Sequence, residues 1–316
     1  MAAAVVWWRA RAGGSFYIVG MEGAWSESLG PLLPAICAGL SAALALSIVD
    51  AAAGPVAGIA AAVVVVILPG FVPLHSASLI GPPLLTLTLA TLAVMLHAPR
   101  FSLAYGTLAA VVAVYVAPAG IGLPVAAVAW ALLSGSSTSR YPVRRVAFAL
   151  VPLLLLAALS HWTGNGWPLP GTIVWRGGLD RGFQAAGTII GDQLTPGIHS
   201  ATLRWFAIAD ISLILLAVVV MAWRRDARTR PDGALLRRLF PAAGVLTFFY
   251  ALGLAAHTLF LTGAAVPDLA AVFPLVVVGM LVGVVSVGVL WHRWHLAGKL
   301  LATLLILGWA QAALRG

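Results

Sequence analysis

The sequence predicts an all-α, polytopic membrane protein, a bundle of about ten transmembrane helices. Of the 316 residues, 62% are hydrophobic and only 9% are charged, whereas a soluble domain carries about 25% charged residues. Apolar stretches follow one another along most of the chain, and in hydrocarbon only helices or closed barrels satisfy their own backbone groups. The stretches are unbroken runs of Leu, Val, Ala and Ile without two-residue alternation, which favours helices over a barrel.

Ten apolar segments are the predicted spans, although several are shorter than the roughly 20 residues that usually cross a bilayer. The Gly/Pro-rich stretch 118–124 has two interpretations, a tight turn between two spans or one broken helix. A single span there would invert the orientation of everything on one side of it. The predicted spans are 31–49, 56–72, 79–96, 103–117, 120–134, 146–159, 206–223, 240–261, 266–290 and 299–314.

The distribution of positive charge predicts the orientation of the bundle. Under the ten-span interpretation, twelve of the 18 Lys and Arg residues fall on one side and six on the other. The positive-inside rule places the larger set in the cytoplasm, including the connection 224–238. The net charge of +9 therefore indicates membrane topology and not nucleic-acid binding, and the chain is predicted to be a multi-pass protein of the bacterial inner membrane.

Four regions follow from this topology. Residues 1–30 form an external segment whose Trp7 and Trp8 beside Arg9 suit the headgroup layer, and no cleavable signal peptide is predicted. Residues 31–159 form an N-terminal transmembrane bundle. Residues 160–205 form an external Gly/Pro-rich loop between spans six and seven, expected to be irregular. Residues 206–316 form the C-terminal transmembrane helices.

The sequence contains no short motif of high specificity, such as a Walker loop, HExxH, CxxC or GxSxG. His292 and His295 have a spacing that suits a metal, yet no carboxylate or thiolate lies nearby, so they are predicted to be interface anchors. Cys37 lies within an apolar run and is predicted to pack there. No metal site and no cofactor are predicted, and the sequence does not indicate a divalent cation.

Polar chemistry is expected outside the membrane, where the predicted loops carry few acids. A general base for an external reaction would come from these acids, and each of them has a structural alternative as a solvated residue or a helix cap. The external acids are Glu22, Glu27, Asp180, Asp192 and Asp268, of which Glu22 and Glu27 are the predicted catalytic residues. The predicted ligands for a lipid phosphate are Arg176, Arg181, His199 and Arg204, which are also explicable as interface residues.

Three consecutive segments resemble a known family. They are SFYIVGMEGAWSESLGPLLPAICAGLSAAL, then AGPVAGIAAAVVVVILPGFVPLHSASLIGPPLLTLTLATLAVML, then APRFSLAYGTLAAVVAVYVAPAGIGLPVAAVAWALL. Their order resembles that of the polyprenyl-phosphate-dependent glycosyltransferases of the GT-C type, which include bacterial aminoarabinose transferases and protein O-mannosyltransferases. The resemblance covers a little over a third of the chain and implies a GT-C core in residues 31–159.

The sequence also departs from that family. The family's first span and the acidic pair of its first external loop have no counterpart, which implies a diverged or inactive relative, an N-terminally truncated one, or catalysis moved to the large loop. Gly30 stands where an Arg commonly precedes the second span. Gly81, Pro82 and Pro83 occupy the turn that usually holds an Asp, and VAPAGIG lacks the Lys common in the later turn.

The resemblance implies transfer of a sugar from a polyprenyl-phosphate donor at the periplasmic face, or descent from enzymes that perform it. The implied partners are membrane lipids and a polyprenyl-phosphate sugar. A second hypothesis is a non-catalytic membrane scaffold or accessory subunit. A third is a small-molecule permease, which predicts paired repeats with broken helices at matching positions.

Overall fold

The computed structural model describes residues 32–77, 80–97, 102–116, 118–133, 179–194, 233–260 and 268–293, with five single positions between 147 and 158. Regular structure within these ranges is entirely helical, which confirms the predicted all-α class. The helices are α1 (Leu32–Ala53), α2 (Pro55–Ile67), α3 (Phe71–Ala77), α4 (Gly81–His97), α5 (Ser102–Val116), a 3-10 turn (Pro118–Ile121), α6 (Gly122–Leu133), α7 (Leu179–Leu194), α8 (Gly233–Phe260) and α9 (Leu269–Arg293).

Three of these helices are long and apolar enough to cross a membrane, namely α1, the stretch Arg238–Ala256 of α8 and the stretch Leu269–Gly288 of α9. With a rise of about 1.5 Å per residue, 22 residues span about 33 Å, close to the roughly 30 Å hydrocarbon core. The number of spans stays a prediction, because the predicted spans 206–223 and 299–314 lie outside the described residues, as does most of 146–159.

Two predicted helix boundaries are wrong. The predicted span 56–72 is not continuous, because α2 ends at Ile67 and α3 begins at Phe71. Pro69 has no amide hydrogen and forces the preceding residue out of the helical region, and Leu68 accordingly has φ −51° and ψ 132°. In the predicted cytoplasmic connection 224–238, the helix α8 already begins at Gly233.

The described residues belong to two compact units. The first unit falls within Met1–Ala77, Gly187–Phe240 and Val276–Gly316, and α1 packs against α2 in it. Gly54 turns the chain with φ +91°, and its amide donates to the carbonyl of Asp50 at 2.8 Å. A Cβ atom on Gly58 would lie 2.9 Å from the carbonyl oxygen of Leu46. The two helices therefore approach each other backbone to backbone.

The second unit falls within Ser78–Ala186 and Pro241–Leu275 and contains α4, α5 and α6 packed together. A Cβ atom on Gly120 would lie 2.8 Å from the carbonyl oxygen of Ala113, so the chain folds back on α5 at the 3-10 turn. The indole N–H of Trp130 donates to the carbonyl of Met95 at 2.8 Å and joins α6 to the end of α4. The stretch 118–124 is thus a tight turn between two helices.

The second unit also contains a close crossing of α6 and α8. A Cβ atom on Gly122 would collide with the backbone of Phe249, and one on Gly253 would lie 2.7 Å from the amide nitrogen of Gly122. The hydroxyl of Tyr250 is buried and donates to the carbonyl of Ala271 at 2.8 Å, which joins α8 to the start of α9. Small residues at such crossings are typical of helix packing in membranes.

Candidate functional site

Most of the predicted site residues lie outside the described part of the chain. These are Glu22, Glu27, Arg176, His199 and Arg204, so their assignments stay predictions. Arg181 is described and lies exposed in the first turn of α7. Asp268, one of the external acids, caps α9, because its Oδ1 accepts the amide of Ala271 at 2.9 Å. A capping role of this kind accounts for Asp268 without a catalytic function.

The predicted external loop contains a regular helix, so the expectation of irregular structure is wrong for residues 179–194. The sequence pattern explains it, because polar residues spaced by three and four positions occupy one face of a helix. The exposed polar residues are Arg181, Gln184, Thr188 and Asp192, and the buried residues are Gly182, Gly187 and Gly191. The glycines that predicted a loop are therefore buried positions of a helix.

Helix α7 holds the start of α3 through one side chain. Gln193 Oε1 accepts the backbone N–H of Gly70 at 2.6 Å, across 123 residues of sequence. Gly70 precedes the first residue of α3, where amide groups have no partner within the helix. The Gln193 side chain therefore acts as a helix cap supplied from a distant segment. We call this contact the Gly70–Gln193 clasp.

His75 lies in the last turn of α3 and is fully buried, with 0% of its surface exposed. Its Nδ1 lies 2.7 Å from the carbonyl oxygen of Phe71, and its ring lies against the Phe71 ring with centroids 4.2 Å apart. A carbonyl only accepts, so Nδ1 carries the proton and donates it. In the neutral imidazole the Nε2 atom then carries the lone pair, and it has no hydrogen-bond partner among the described residues.

The environment of His75 keeps the imidazole neutral. Residue 75 lies between the predicted spans 56–72 and 79–96, and α3 is not among the helices of membrane length. Burial lowers the pKa of His75 from 6.5 to about 4, and the hydrogen bond to the Phe71 carbonyl opposes this shift only in part. At neutral pH the side chain is therefore an uncharged hydrogen-bond acceptor.

The described residues contain no group of three or more His, Cys, Asp or Glu side chains that is suited to hold a metal ion. What the structure brings together in the first unit is the Gly70–Gln193 clasp at one end of α3 and the Nε2 atom of His75 at the other. Such a site can accept a hydrogen bond or a proton. The sequence contains no signal for the Gly70–Gln193 clasp. It does contain a signal for the separate helix that carries His75, because Pro69 and Gly70 interrupt the helix before it.

Comparison with known proteins assigns no family to the chain. No family model matches the sequence, and no curated protein or solved structure has significant similarity to it. The class that the observations define is an all-helical protein with three helices of membrane length within the described residues. The resemblance to the GT-C glycosyltransferases stays a prediction.

Proposed function

We propose that the protein transfers a sugar from a polyprenyl-phosphate donor to an acceptor at the external face of the bacterial inner membrane. The observation that best supports this proposal is the Gly70–Gln193 clasp. Charge counting predicts that the loop 160–205 and the turn after residue 72 both lie outside, and a 2.6 Å contact between the two neighbourhoods agrees with that prediction. Polar side chains and the end of a membrane hairpin then meet on the side where the lipid-linked donor is expected.

The transfer needs a base to receive the acceptor proton and cations to stabilise the departing phosphate. Arg181 is suited to the second role, because its guanidinium is exposed and a planar guanidinium binds phosphate through two parallel hydrogen bonds. Phe183 lies two residues further along α7, on the other side of the helix, and is 65% exposed. A helix that exposes both an Arg and an aromatic ring is suited to the headgroup layer, where a lipid phosphate is within reach.

The test uses the full chain in lipid nanodiscs with a labelled polyprenyl-phosphate sugar. We expect saturable binding and slow consumption of the donor. Arg181→Gln should weaken binding by about ten- to a hundredfold, since one charge-assisted hydrogen bond contributes about 1.5–3 kcal/mol. Arg238→Gln is the matched control, because Arg238 is exposed on α8 at the predicted inner face. Wild-type protein that neither binds nor consumes the lipid would contradict the proposal.

A non-catalytic scaffold is the second candidate, and one observation favours it. Several buried Ser and Thr hydroxyl groups of the described helices donate to carbonyls of their own helix and so are not available to a ligand. Examples are Thr88 to Leu84 at 2.7 Å and Ser286 to Val282 at 2.8 Å. A scaffold predicts no donor binding by the wild type and stoichiometric copurification of a partner protein from the native membrane.

A further inference from the structure

The hydrogen bonding of His75 leaves one ring nitrogen unused. Nδ1 donates to the Phe71 carbonyl at 2.7 Å, while the buried Nε2 atom has no partner in the described part of the chain. Buried polar groups in native proteins are nearly always hydrogen-bonded, and an exception calls for an explanation such as a catalytic role. Histidines that act as bases or metal ligands are commonly oriented in the same way. One ring N–H donates to a backbone carbonyl, and the other nitrogen is left to accept a proton or bind a metal.

We propose that His75 is the general base of the transfer reaction, receiving the proton of the acceptor hydroxyl at Nε2. The inference rests on the proposed function. It assigns to His75 the role of base that the sequence analysis predicted for Glu22 and Glu27. In the reaction, the acceptor O–H bond breaks and its proton passes to Nε2. The acceptor oxygen forms a bond to the anomeric carbon of the sugar, and the bond from that carbon to the phosphate oxygen breaks. The polyprenyl phosphate leaves with the electron pair.

Two of the predicted external acids, Asp268 and Asp192, are less suited to this role. Asp268 is occupied as the cap of α9 through its contact with Ala271. Asp192 lies on the exposed polar face of α7 and has an interaction of its own. His75 is the described group whose basic atom is both oriented by a backbone contact and left without a partner.

The acceptor reaches Nε2 only when α3 shifts, because His75 is fully buried in the described state. Helix α3 has seven residues, too few for independent stability. Its first turn is held from outside by the Gly70–Gln193 clasp. Substrate binding is therefore expected to loosen α3 and to bring Nε2 into contact with the acceptor, as active-site segments commonly move when substrate binds.

The test compares His75→Asn with the wild type in nanodiscs. The Asn amide nitrogen replaces Nδ1 and keeps a donor for the Phe71 carbonyl, but no atom replaces Nε2. We expect unchanged donor binding, a thermal midpoint near that of the wild type, and turnover reduced by about 10²–10⁴-fold, the usual contribution of a general base. His75→Phe, which lacks both nitrogens, should lose turnover and also lower the thermal midpoint.

The outcomes separate the two proposals. Wild-type protein that neither binds nor consumes the lipid overturns both. If the wild type consumes the lipid and the turnover of His75→Asn is within tenfold of the wild-type turnover, His75 is not the general base. The proposal that the protein is a transferase then still stands.

If His75→Asn does not fold, the proposal is tested on the wild type by modification with diethyl pyrocarbonate. Mass spectrometry of the peptide that contains His75 then measures its labelling. We expect labelling of His75 to increase when donor lipid is added without acceptor, while the other six histidines serve as internal references. A His75 that stays unlabelled with and without donor lipid overturns the proposal.

Discussion

Helices α1 and α7 bury the same kind of residue and expose opposite kinds. On α1 most of the buried residues are small, such as Ala35, Cys37, Ala38, Ser41 and Ala45, although Ile48 and Val49 are also buried. The exposed side carries Leu32, Leu33, Ile36, Leu40 and Leu46. On α7 the buried residues are three glycines, but the exposed residues are the polar row that begins at Arg181, together with Phe183.

The difference indicates that the two helices have different solvents. In water a helix buries its large apolar side chains and exposes polar ones, whereas the large residues that α1 exposes are apolar. Lipid tails are as apolar as leucine, so helices in a membrane associate through small residues that allow close approach, and their leucines face outward. The common feature, burial of small residues, is a rule of packing. The exposed face reports whether the surroundings are hydrocarbon or water and headgroups.

The largest effect should come from a charge on the exposed face of α1. Leu40 is 49% exposed and lies near the middle of the helix, and an Asp at a helix centre costs about 2.5–3.5 kcal/mol on insertion. Leu40→Asp should therefore sharply reduce the folded protein recovered from the membrane. Gln184→Asp places the same residue on the exposed face of α7 and should change recovery little. Equal recovery of the two variants would show that the helices share a solvent.

A second test concerns the small residues at the crossing of α6 and α8. Gly122→Ala would bring a Cβ atom within 2.8 Å of Tyr250 Cα and closer still to the Phe249 carbonyl, and backbone atoms cannot move away as a flexible side chain can. Overpacking of this kind costs about 1–3 kcal/mol. Gly244→Ala in α8 meets nothing within 4 Å and should stabilise the helix by up to about 1 kcal/mol. Thermal midpoints in detergent measure both, and a Gly122→Ala variant as stable as Gly244→Ala would contradict the close crossing.

The helical class was predictable because it depends on composition and on long apolar runs, which are local properties. The boundaries were less so. Apolar residues continue on both sides of Pro69 and Gly70, and hydropathy alone extended the predicted span across a break that backbone sterics impose. The glycines of α7 lower helix propensity and predicted a loop. All three glycines of α7 are nevertheless buried, where the lack of a side chain allows close approach of neighbouring atoms.

The candidate site was less predictable than the fold. The value of His75 as a base depends on which ring nitrogen meets the Phe71 carbonyl, and on burial of the other nitrogen. A sequence records neither. Arg181 was predicted from its residue type and its position in a polar loop, and such local properties suffice to predict an exposed charge. The contact between Gly70 and Gln193 joins positions 123 residues apart, and local pattern contains no information on such a pair.

The smallest expected effect tests how α7 is held. Gln193→Ala removes the acceptor for the Gly70 amide and should cost about 1 kcal/mol, the usual net contribution of one hydrogen bond. Gln193→Glu is the matched control, because it retains an oxygen acceptor at the same distance along the side chain. Hydrogen exchange of peptides covering residues 68–77 should be about fivefold faster in Gln193→Ala than in the wild type. An unchanged exchange rate in that variant would show that α3 is held by its apolar contacts alone, without the Gly70–Gln193 clasp.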